Sequence, residues 1–161
     1  MNPPGRPRLG LLLAGIALVG LGVAVYLALA DAGASGAVCV IGGGCEEVRS
    51  SSYSHLLGIP LGVYGIAWST VALAASLAWW WTGDRRPLYV LYAGGLVATV
   101  VEAYLVYVQL FVIDAVCSWC VLYGTTVVLG WLGACAGVAR SSRRSVTPPR
   151  EPSAEQTRGA P

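Results

Sequence analysis

Four long apolar runs, residues 9–30, 56–82, 88–113 and 115–139, hold between them a single formal charge, Glu102. Each reaches the ~20 residues that carry an α-helix across a bilayer and is far longer than the ~10 residues of a tilted barrel strand. Backbone amides find no water partner in hydrocarbon, so each run must satisfy its own hydrogen bonds as a helix. With 56% hydrophobic and 11% charged residues, a water-soluble fold is excluded. The expected fold is an all-α membrane protein, a bundle of four transmembrane helices with an outward-facing loop between the first and second.

The first run follows Arg6 and Arg8 and ends in Ala28-Leu29-Ala30, which resembles a signal-peptidase site. A signal core is only ~7–15 apolar residues long, so the run reads as an uncleaved anchor. Orientation follows from the arginines, because short loops rich in Arg stay in the cytoplasm. Arg6 and Arg8 precede the first span, Arg85 and Arg86 separate the second from the third, and Arg140, Arg143 and Arg144 follow the fourth. These ends share one side after four crossings. Residues 1–8 are then a cytoplasmic N-terminus, 9–139 the membrane domain and 140–161 a cytoplasmic tail whose Ser, Pro, Arg and Glu predict disorder. The net charge of +2 reflects this topology and gives no reason to expect nucleic-acid binding.

Four of the five cysteines fall on the predicted outer side: Cys39 and Cys45 in the long loop, Cys117 and Cys120 where the fourth span begins. An envelope or lumenal compartment is oxidising, so disulfides form and persist there. Cys135 lies fifteen residues beyond Cys120, about 22 Å deeper at 1.5 Å per residue, and reads as a buried apolar side chain.

Cys117-Ser118-Trp119-Cys120 is a C-x-x-C at a helix N-terminus, where side chains three positions apart share a face within disulfide reach. Free amides and the helix dipole there stabilise a thiolate, which favours a redox motif over a static bridge. Half of a zinc site is the competing reading, with Cys39 and Cys45 as the other ligands, although the spacing of that first pair exceeds the usual two to four residues. Between Cys39 and Cys45 stand Gly42, Gly43 and Gly44. Glycines enlarge the disorder of the unfolded chain and weaken a purely structural clip, so the pair reads as a mobile shuttle, with a staple as the alternative.

The segment 48–55 is too polar to span; its hydroxyls either donate to a ligand carbonyl or cap the second helix. His55 is the only histidine, which leaves no His-based metal site. Glu102 either faces a ligand or polar pocket, or is protonated and hydrogen-bonded to a neighbouring helix. Trp79, Trp80 and Trp81 read as an interfacial belt.

The ordered set Cys39-x5-Cys45, Val48-Arg49-Ser50-Ser51, Gly58-Ile59-Pro60 and Cys117-x-x-Cys120 opening the last span resembles the vitamin K epoxide reductase family over roughly residues 9–139. The spacing of the first pair is similar to that of bacterial members. The resemblance implies a four-helix bundle enclosing a quinone, either menaquinone or ubiquinone. Cys117 and Cys120 correspond to the active-site pair, Cys39 and Cys45 to the loop shuttle, and Ser51 to a serine near the quinone head group. It further implies a bacterial inner-membrane thiol oxidoreductase that takes electrons from a thioredoxin-like, DsbA-like protein and supports disulfide formation. No thioredoxin-like domain follows the fourth span, so that partner is expected to be a separate chain. A tyrosine found in animal members four residues after the second active-site cysteine is replaced by Gly124, which argues against epoxide reduction.

Two other readings compete. A DsbB-type thiol oxidase also has four helices and two cysteine pairs, but its C-x-x-C comes first, the reverse of the order here. A structural or zinc-binding membrane protein would use the same four cysteines as ligands.

Overall fold

The computed structural model describes residues 6–33 and 44–146. Cys39 and the part of the polar tail beyond Val146 lie outside the described residues. The described residues form five α-helices: α1 Arg6–Asp31, α2 Cys45–Ser50, α3 Leu61–Thr82, α4 Arg86–Val108 and α5 Ser118–Val146. Four of the described helices, all but the short α2, are long and apolar enough to cross a membrane. The chain is an all-α four-helix membrane protein.

The apolar side chains are distributed as a lipid environment requires. Leu12, Leu18, Val100, Tyr104 and Phe111 point out of the bundle, where only hydrocarbon can cover them. Helix contacts instead rely on small residues, which let backbones approach closely. A Cβ on Gly62 of α3 would stand 2.9 Å from the Ala28 amide of α1, and one on Gly65 would stand 3.1 Å from the Ala24 side chain. α1 therefore packs tightly along α3.

Two buried clusters hold the bundle. At the arginine-bearing end Leu13, Trp79, Leu88, Leu91 and Ala134 pack together. Nearer the cysteines Val23, Ala24, Tyr123 and Val127 form the second, flanked by Trp68 and Trp119. The tryptophan triplet thus divides: Trp81 is 82% exposed and suits an interface, whereas Trp79 is 4% exposed and belongs to the core. Successive residues on a helix point about 100° apart, so three adjacent rings cannot all face the same surroundings.

The helix boundaries differ from the sequence expectation, most at the second and fourth spans. The second span begins at Leu61 because the preceding residues form a small antiparallel hairpin, β1 His55–Leu56 and β2 Ile59–Pro60, with Leu56 opposite Ile59. Its two-residue turn holds Leu57 and Gly58 at φ 55° and 78°, the left-handed pair that such hairpins use. The fourth span begins at Ser118, after a turn that Asp114 enters with φ 55°. At its far end α5 continues past Ala139 to Val146, since no helix breaker occurs before Pro148.

Candidate active site

The end of α4 is built to receive the C-x-x-C. After Val108 the helix widens into a π-helical turn, Gln109–Ile113, and the Ala115 amide returns to the Gln109 carbonyl at 3.1 Å. The buried Gln109 side chain then accepts the Cys117 amide proton at its Oε1, 2.9 Å away. That bond fixes the residue from which α5 springs. One signal could have found this role, since an amide inside an apolar run must find a partner when buried.

Cys117 and Cys120 are joined as a disulfide, with Cα atoms 5.3 Å apart. The Cys120 amide lies 3.3 Å from the Cys117 sulfur, so a free N–H of the first turn points at the atom that would carry charge in the reduced state. The two sulfurs have different surroundings. Cys117 is only 3% exposed, whereas Cys120 lines a large, half-open cavity between the helices.

That cavity has a volume of about 490 Å³. Trp68, Val97, Val101 and Leu105 supply much of its apolar wall, while Ser51, Glu102 and Tyr123 add polar groups. Ser51 donates to the Val48 carbonyl at 2.6 Å, and Tyr123 donates to the Gly65 carbonyl at 3.2 Å. No hydroxyl of the polar segment caps α3, because its N-cap is Pro60 and makes no side-chain cap bond. The capping alternative for these serines is therefore removed.

The loop side is held against the same place. Cys45, the first residue of α2, is buried and disulfide-bonded. Gly44, just before it, packs on Val116, just before Cys117, so closely that a Cβ would come within 2.8 Å of the Val116 amide. Arg49 ties α2 to α1 by donating to the Ala30 carbonyl at 2.6 Å, and pairs with Glu46 at 2.7 Å. His55 lies 3.4 Å from Asp31, a second tie to the end of α1. Cys135 is a free thiol well along α5 and takes no part in this cluster. Among the described residues no three His, Cys, Asp or Glu side chains converge as a metal site.

Four membrane helices with a disulfide-linked C-x-x-C on the wall of a half-open cavity define a polytopic membrane protein of the thiol–disulfide type. The model of the vitamin K epoxide reductase family matches residues 11–134, and the chain belongs to that family of membrane oxidoreductases. No curated protein sequence matches the chain.

Proposed function

We propose that the protein is a quinone-dependent thiol oxidoreductase that draws electrons from a separate thioredoxin-like protein and passes them, through two cysteine pairs, to a membrane quinone. The observation that carries this reading is the unequal setting of the Cys117–Cys120 disulfide, with Cys120 on the cavity wall and Cys117 buried next to Val116, the residue on which Gly44 packs.

The cavity fits a quinone head group. Its volume falls within the ~300–1,000 Å³ of small-molecule sites, and a mostly apolar lining with a few polar groups suits a flat ring bearing two carbonyls. A quinone bound there accepts two electrons and two protons and leaves as the quinol.

In the relay a reduced partner dithiol attacks the loop disulfide at Cys39, becomes oxidised, and releases Cys39 and Cys45 as thiols. The Cys45 thiolate attacks Cys117, forming a Cys45–Cys117 bridge and freeing Cys120. Cys39 then attacks Cys45, restores the loop disulfide and leaves Cys117 and Cys120 reduced. The amide of Cys120 steadies charge on Cys117 during exchange, and Gln109 holds the turn that presents it. Re-formation of the Cys117–Cys120 disulfide delivers both electrons and both thiol protons to the acceptor. About 30 mV corresponds to 1.4 kcal/mol for each two-electron step, so modest potential differences suffice to drive the sequence.

The position of Ser51 on the cavity border, at the end of the helix that begins with Cys45, supports its assignment to the quinone end. By the arginine distribution both termini and the Arg85–Arg86 loop face the cytoplasm, and the cysteine end of the bundle faces the periplasm or exterior of a bacterial cell.

Stopped-flow mixing of the fully reduced protein with menadione tests the reading. One two-electron equivalent should be transferred per Cys117–Cys120 pair, and Cys120→Ser should abolish it. Undiminished transfer in Cys120→Ser would refute it.

A further inference from the structure

Glu102 sits within α4 and its carboxyl borders the cavity, yet it makes no hydrogen bond or ion pair among the described residues. Four hydroxyls of the same wall are already spent on backbone carbonyls: Ser51 on Val48, Ser54 on Ser51, Tyr64 on Leu56 and Tyr123 on Gly65. Tyr53 also borders the cavity but is exposed. An acid at this depth is costly and marks a functional position, and without a cation beside it the neutral acid is the cheaper form.

Gly124 makes part of the space for that carboxyl. A Cβ on the buried Gly124 would stand 3.1 Å from the Glu102 Oε2, so a methyl group there would move the carboxyl by a few tenths of an ångström. Gly124 lies four residues after Cys120, on the same face of α5. The reactive sulfur and the acid therefore border one stretch of cavity wall.

We propose that Glu102, as a carboxylic acid, donates a hydrogen bond to a carbonyl oxygen of the quinone held in this cavity, and that Gly124 leaves the carboxyl room to do so. This rests on the quinone reading above and names the polar contact that reading lacks. A quinone presents only acceptors, and the acid is a donor not engaged elsewhere in the described protein.

The test is menadione titration of the purified, oxidised full-length protein, followed by quenching of its tryptophan fluorescence, so that no turnover is involved. Glu102→Leu should weaken binding about three- to tenfold, the loss of one hydrogen bond, with its thermal midpoint held. Glu102→Gln, whose amide still donates, should stay near wild type, and Gly124→Ala, which shifts the carboxyl without removing it, should fall between wild type and Glu102→Leu. In wild-type protein the infrared carbonyl stretch of a protonated carboxyl should shift on adding menadione and be missing from Glu102→Gln. This measurement stands even where a variant fails to fold. Wild-type affinity in Glu102→Leu, or a carboxyl band unmoved by menadione, overturns the proposal. A wild-type protein that neither binds nor reduces menadione overturns the quinone reading and this inference with it.

Discussion

Gly44 lies against Val116 with no room for a side chain: a Cβ would approach the Val116 amide nitrogen to 2.8 Å and its carbonyl oxygen to 3.0 Å. The contact joins the residue before Cys45 to the residue before Cys117, and so sets the approach of the loop to the helix pair. Gly44→Val should push the loop away and slow turnover with a thioredoxin-like donor about 10- to 100-fold, the usual cost of misplacing reacting groups by about 1 Å. A single turnover by chemically pre-reduced protein should proceed nearly as in wild type. Comparing the two rates by stopped flow checks the expectation.

Gln109 and Cys117 make the other defining contact. Gln109→Ala would leave the buried Cys117 amide without its acceptor, at a cost of about 1–3 kcal/mol. Gln109→Glu keeps an oxygen in place and should lose less. Denaturation of the two variants in detergent measures the difference.

Ser51→Ala removes a hydroxyl that borders the cavity and ties the end of α2 to Val48. Losing one hydrogen bond of about 0.5–1.5 kcal/mol should lower the rate of quinone reduction between two- and tenfold, with little change in protein abundance. An unchanged rate with a lowered thermal midpoint would assign the serine to α2 alone.

Trp79→Ala should behave in the opposite way. Its ring is packed with Leu13, Leu88 and Ala134 at the far end of the bundle, so truncation should cost about 3–5 kcal/mol of stability. Menadione affinity of the folded fraction should not move.

Orientation is checked in intact, reduced cells with a membrane-impermeant maleimide. Cys39 should be labelled, while single cysteines placed in the Arg85–Arg86 loop should not. The reverse pattern would invert the topology.

The spans were legible because crossing a bilayer demands little more than a long apolar run, which composition alone reveals. The Cys117–Cys120 pairing was legible because helical geometry sets it at three residues. Their ends were less so. Leu57 adopts a left-handed conformation that a leucine does not advertise, and the hairpin it helps to form delays α3 to Leu61. Gln109 and Cys117 are eight residues apart and meet only through a π-helical turn, which has no sequence signature. Trp79 and Trp81 are chemically alike, and only packing separates core from surface. The meeting of Glu102 with Gly124 is a tertiary contact between two helices, invisible to a reading of either alone.

Electron flow between the loop pair and the helix pair is the centre of the account, and the Cys45–Cys117 bridge is its direct signature. Cys39→Ser removes the thiol that resolves this bridge, and Cys120→Ser removes the one that displaces Cys45. Acid trapping and non-reducing peptide mapping should find Cys45 linked to Cys117 in both variants. Cys135→Ser should match wild type, since that thiol lies about 22 Å along the helix from Cys120. A Cys45–Cys135 link in Cys39→Ser, or full quinone-dependent thiol oxidation in every single variant of Cys39, Cys45, Cys117 and Cys120, would contradict the relay.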